Sequence, residues 1–115
     1  MRLLRNSPWT ARNDVTIDVA LRDDGVTVIH VGGELDLSSV PQLRSCLSDL
    51  VNRGDNSLVL DLSEVTFCDS TALGVFVGAH RRAIASGGSI EFHKPPASLR
   101  NLLVVSGLDQ ILNLT

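Results

Sequence analysis

The chain has 115 residues, 43% hydrophobic, with a formal charge of −3 at pH 7, which allows one compact domain and no second core. No apolar run approaches the ~20 residues that a membrane helix needs, and the acidic balance offers nothing to nucleic acid or anionic lipid. With one Trp, three Phe and no Tyr, the chain also lacks an aromatic platform for stacking bases or sugars.

Residues 1–14 show no periodicity, and Ser7-Pro8 and Asn13-Asp14 break any element there. The basic stretch with Arg2, Arg5 and Arg12 is followed by no apolar signal-peptide core, so residues 1–14 are read as a flexible tail and 15–115 as the domain. From Val15, Ile17, Val19 and Leu21 alternate with polar or small residues, the period of a half-buried strand. Asp23-Asp24-Gly25 marks a hairpin turn into a second strand, Val26 to Val31, which Gly32-Gly33 closes.

Ser38 or Ser39 then caps a first helix, with Pro41 in its first turn and Val40, Leu43, Leu47, Leu50 and Val51 as its apolar stripe. Gly54 ends it. A third strand runs Ser57 to Leu62, and a loop through Glu64, Phe67 and Asp69 leads into a second helix. Leu73, Phe76, Val77, His80 and Ile84 fall on one side of that helix, and Gly87-Gly88 stops it. A fourth strand, Ser89 to Phe92, a third helix, Ser98 to Val105, and a little structure near Ile111 and Leu112 complete the chain. The order β-β-α-β-α-β-α predicts an α/β fold, with a mixed sheet of four to five strands and helices mainly on one face.

Catalytic signals are missing. No nucleophile elbow, phosphate loop or dinucleotide glycine fingerprint is present, and no His is placed as a base for Ser70. A phosphoaspartate receiver would need Asp23-Asp24, Asp61 and Lys94 as its site. Its acidic pair feeds a helix, however, whereas Val26 begins a strand one residue after Gly25. Cys46 and Cys68 form no Cys-x-x-Cys pair, and His30, His80 and His93 lack zinc-ligand spacing. The expectation is a non-enzyme with buried reduced thiols, in the cytoplasm, with no metal and no cofactor.

One segment stands out: Asp69-Ser70-Thr71-Ala72-Leu73-Gly74, where the chain leaves strand three and enters helix two. On local chemistry alone, Asp69 and Ser70 read as helix caps. The segment also resembles the phosphorylation motif of the anti-sigma factor antagonists, which are STAS domains; there Asp-Ser-Ser/Thr-Gly-Leu follows a strand and a short loop. Gly32-Gly33-Glu34-Leu35-Asp36 is similar to the family's Gly-Glu-Leu/Ile-Asp loop, and Leu58-Val59-Leu60-Asp61-Leu62-Ser63 to its third strand. Gly87-Gly88 and Ser106-Gly107-Leu108 fall at its glycine turns, so the resemblance spans residues 15–112.

That resemblance implies a single STAS domain acting as a partner switch. When unphosphorylated it would bind an anti-sigma factor serine kinase and free the sigma factor. Phosphorylation of Ser70 would end the binding, and a metal-dependent Ser/Thr phosphatase would restore it. Glu34, Asp36, Ser38, Ser39, Asp69 and Thr71 would make the partner-binding surface. The alternative is an unphosphorylated STAS scaffold or regulatory subunit of a transport or signalling complex. Ala72 stands where the family usually has Gly, and its methyl beside the acceptor is expected to narrow the fit to the kinase.

Overall fold

The structure is a computed structural model and describes residues 2–4 and 15–115. In chain order the elements are β1 (Arg2–Leu4), β2 (Val15–Leu21), β3 (Thr27–Leu35), α1 (Val40–Asn52), β4 (Ser57–Cys68), α2 (Ser70–Ala85), β5 (Ser89–His93), α3 (Ala97–Val105), a 3-10 turn (Leu108–Gln110) and β6 (Asn113–Leu114). The strands form one sheet in the order β1-β2-β3-β4-β5-β6. β1, β2 and β3 pair antiparallel, while β3, β4, β5 and β6 run parallel, each crossover carrying a helix. This is the mixed α/β sheet that the element order predicts, with short strands added at both edges.

Strand alternation decides which face meets the helices. Val19, Ile29, Leu60 and Phe92 lie side by side across β2, β3, β4 and β5, and all are buried. The Phe76 ring of α2 packs on Phe92 with centroids 5.2 Å apart. α1 adds Leu43, Leu47 and Leu50 to this core, and α3 adds Leu99 and Leu103.

The next row, one residue along each strand, is Asp18, His30, Asp61 and His93, on the face that the helices leave open. Asp61 Oδ2 lies 3.2 Å from His30 Nδ1, and its other oxygen accepts from the Ser63 N–H at 3.0 Å. Partial burial pushes the Asp61 carboxyl up, but hydrogen bonds from Ser63 and the His30 imidazole outweigh it and hold it below the ordinary carboxylate value. α1 and α2 both end on a left-handed glycine, Gly54 (φ 91°) and Gly87 (φ 79°). The next residue's N–H returns to Leu50 in the first case and Ala83 in the second, closing the helix end.

The structure moves three boundaries. β3 continues past Gly32-Gly33 to Leu35, and β4 continues past Leu62 to Cys68, because the two strands go on pairing through two register shifts. A side chain at Gly32 would meet the Thr16 hydroxyl at 2.8 Å and Glu64 Cβ at 3.3 Å, so the glycine makes room for these side chains of the two flanking strands rather than ending the strand. Arg2–Leu4, read from the sequence as part of a tail, pairs with Val19–Leu21 as an edge strand. The expected mobility of residues 5–14, Trp9 among them, lies outside the described residues.

Leu60 and Phe76 are both fully buried in the shared core. Truncating either to Ala should cost about 2–5 kcal/mol, the usual loss for a cavity in a packed interior. Urea or guanidinium denaturation checks this, and a loss below about 0.5 kcal/mol at both positions would mean that the core faces are assigned wrongly.

Candidate functional site

The parallel strands β3 and β4 end together, and the site forms where they do. Leu35 pairs with Cys68, and the Asp69 N–H then donates to the Leu35 carbonyl at 3.0 Å. That bond ties the β3–α1 loop to the start of α2. Asp69 is the cap of α2, with extended backbone (φ −104°, ψ −179°) and a side-chain oxygen that accepts from the Thr71 N–H at 2.9 Å. The same oxygen accepts a short hydrogen bond from the Thr71 hydroxyl.

Ser70 is the first residue of α2 and is exposed, and its hydroxyl has no hydrogen-bond partner among the described residues. Of two adjacent hydroxyls, then, Thr71's is committed to the cap and Ser70's is open to solvent. Asp69 alone supplies the cap, so the expectation that Ser70 shares in it is corrected. Ala72 is fully buried. Its methyl lies in the core rather than beside the acceptor, which removes the reason for expecting a narrowed fit to a kinase. One turn below Ser70, Gly74 is exposed, and a Cβ added there would meet nothing within 4 Å, so no internal contact requires glycine at that position.

The β3–α1 loop is held from inside. Asp36 Oδ1 accepts from the Ser38 N–H at 3.0 Å, the Ser38 hydroxyl at 2.7 Å and the Ser39 N–H at 3.2 Å. The Ser38 hydroxyl is the chief reason that the Asp36 carboxyl lies below its ordinary value. Ser39 sits at the cap position of α1 but makes no side-chain cap. Its hydroxyl instead donates to the Glu34 carbonyl at 2.6 Å and accepts from the Asp36 N–H at 3.0 Å. At 2% exposure, Ser39 shapes the loop and is not placed to touch a partner, which corrects its assignment to the binding surface.

Glu34, Asp36 and Ser38 are thus brought beside Asp69, Ser70 and Thr71 at one end of the sheet. Two further side chains belong to this end: Leu37, 74% exposed, and Phe67, 50% exposed. The only sequence signal for Leu37 is that it falls outside the apolar stripe of the helix that follows. Phe67 sat in what read as a loop, where strand alternation does not apply.

Both thiols are poor nucleophiles. Burial, helped by Asp49, pushes Cys46 up to about 12, and burial, helped by Asp69, pushes Cys68 up to about 11. Cys46 is buried and Cys68 half-buried. Among the described residues no group of His, Cys, Asp and Glu could hold a metal ion, and no helix is long and apolar enough to cross a membrane. Indentations on the sheet, beside His30 and Asp61 and beside Arg22 and Glu91, hold only ≈ 40 and ≈ 80 Å³. Sites for small molecules are usually about 300–1,000 Å³.

An open hydroxyl at the head of a helix, beside a loop braced from within and on a sheet covered on one face, is the arrangement of a STAS domain. The family model described as Mlab, STAS domain, matches residues 17–114. The chain is 32% identical to the anti-sigma-B factor antagonist of Bacillus subtilis (strain 168) over 102 residues, 89% of this chain and 92% of that protein. It belongs to the STAS-domain anti-sigma factor antagonist family. The crystal structure of an anti-sigma factor antagonist from Mycobacterium paratuberculosis superposes with a TM-score of 0.80 at 28% identity, covering 91% of this chain and 88% of that one. The Bacillus cell fate determinant SpoIIAA in its phosphorylated form shares the fold, with a TM-score of 0.70 at 24% identity over 87% of this chain and 91% of that one.

The cap geometry separates two neighbouring substitutions. Asp69→Ala removes the acceptor for the Thr71 N–H and should cost about 0.5–2 kcal/mol, whereas Ser70→Ala should cost less than about 0.5 kcal/mol. Thermal or chemical denaturation of the two variants checks the order, and a larger loss at Ser70 would contradict the assigned cap.

Proposed function

We propose that this chain is an anti-sigma factor antagonist, non-enzymatic, that docks an anti-sigma factor serine kinase when unmodified and thereby frees the sigma factor. The kinase then ends the association by phosphorylating Ser70, and a Ser/Thr phosphatase restores the hydroxyl. The observation that carries this reading is the contrast at the head of α2: Ser70 is exposed and unbonded, while Thr71 is tied to Asp69. The kinship to anti-sigma-B factor antagonists along nearly the whole chain supports the partner class. Gly74 supports a partner that comes close along α2, since glycine inside a helix costs about 0.5–1 kcal/mol relative to Ala and no internal contact here asks for it.

In the transfer step, a bond forms between Ser70 Oγ and the γ-phosphorus of ATP as the bond to ADP breaks, and the hydroxyl proton passes to a base on the kinase. The product carries about −1.5 to −2 charges at pH 7. The helix dipole tolerates an anion there by about 0.3–1 kcal/mol. Asp69 already holds the Thr71 N–H, and the Asp69 carbonyl accepts from the Ala72 N–H at 3.2 Å. The phosphoryl group therefore displaces nothing in the core and projects outward. Facing a surface shaped for a hydroxyl, a dianion that costs about 4 kcal/mol weakens binding about a thousandfold.

The test uses the anti-sigma serine kinases of the source genome, purified singly, with titration calorimetry and intact mass with and without ATP. Wild type should gain one phosphate at Ser70 and lose affinity. Ser70→Ala should bind and never be released, Thr71→Ala should still be phosphorylated, and Ser70→Glu should bind weakly. If Ser70→Ala still takes up phosphate, the acceptor is misassigned. If no kinase binds or modifies wild type, the switch is wrong and an unphosphorylated scaffold takes its place.

A further inference from the structure

A kinase that modifies Ser70 must lay its surface over that hydroxyl, and a specific interface covers roughly 800 Å² on each partner. What flanks Ser70 is therefore covered with it. The hydrogen bond between Asp69 N and Leu35 O marks the centre of this end, and Leu37 and Phe67 are each two residues from it along their own segments. With Cα atoms ~3.8 Å apart along the chain, both lie within about 8 Å of it.

The remaining large exposed apolar side chains lie elsewhere. Leu21 ends β2 opposite the start of β3. Ile84, Val104 and Val105 sit at the far ends of helices that begin at the Ser70 end and run back for the next parallel strand, and Ile111 precedes β6. Among the described residues, the apolar exposure of the Ser70 end is Leu37 and Phe67.

The carboxylates at this end keep their charge while they brace the surface from within. The Asp36 carboxylate is used by Ser38 and Ser39, and the Asp69 carboxylate by Thr71. These bonds also fix the loop that displays Leu37, so little ordering remains to be done on docking. We infer that Leu37 and Phe67 are the apolar anchors of the docking surface, seated in an apolar socket of the anti-sigma kinase with Ser70 beside them. The inference rests on the function proposed above and deepens it. It also explains how one phosphate acts: the dianion is forced against a dry apolar contact, where it is worst tolerated.

The experiment measures the affinity of the kinase that phosphorylates wild type for Leu37→Ser, Phe67→Ser and the double variant, with Val105→Ser as the control from the far end. Circular dichroism confirms folding. Each single change should weaken binding at least tenfold, the double change more, and the control less than twofold. Ser70 phosphorylation of wild type together with unchanged affinity of the double variant overturns the anchors and leaves the switch standing. If no kinase modifies wild type, anchors and switch fall together.

Discussion

The hydrogen bond from the Asp69 N–H to the Leu35 carbonyl joins the two segments that a partner would meet. Its position follows from the long parallel pairing of β3 with β4, which begins in the core at Thr27 and Leu58 and runs beyond it to Leu35 and Cys68. The rows that bury Ile29 against Leu60 therefore also set the height at which Asp69 turns the chain into α2. A slip in that pairing would carry core side chains to the open face and move Ser70 at the same time. Core and site are coupled through the backbone.

Polar chemistry at this end is mostly structural. Asp36 braces its own loop, Asp69 caps its own helix, and Ser39 bonds inward to Glu34 and Asp36. What faces outward includes the Ser70 hydroxyl, the apolar side chains of Leu37 and Phe67 and a helix face thinned by Gly74, together with the polar side chains of Ser38, Glu64 and Thr66. Such a surface favours association through shape and apolar burial, and a single dianion is well suited to oppose it. The committed cap has a second consequence. Because Thr71's amide and hydroxyl are already engaged, a phosphate on Ser70 has little internal structure to recruit.

Much of the fold was legible because its local signals agree with its packing. The buried core bears out the alternation of Val15, Ile17 and Val19 and the helical stripe from Val40 to Val51. Leu21 at the end of the first series is exposed, however, and α2 buries Ala72, Val75, Phe76, Ala79 and Ala83 rather than the side through Val77, His80 and Ile84. The ends of β3 and β4 were not legible. There the pairing shifts register twice, and Ser63, Glu64, Thr66 and Phe67 face solvent, so neither a period of two nor an apolar run marks the strand. β1 has three residues and was hidden for a similar reason, being too short for any period. The motif around Ser70 was visible by resemblance. The inward role of Ser39 and the outward one of Leu37 depend on which way a short loop turns, and spacing does not encode that.

Whether the phosphate blocks a docking surface or rearranges the domain is the central question, and backbone amide NMR on the phosphorylated and unmodified proteins addresses it directly. A block at the surface predicts shift changes confined to residues 34–39 and 67–74, with the core amides of β2, β3 and β5 unmoved while affinity for the kinase falls by about a thousandfold. Changes spread through the core row of Val19, Ile29, Leu60 and Phe92 would contradict it and would mean that the switch works by refolding the domain.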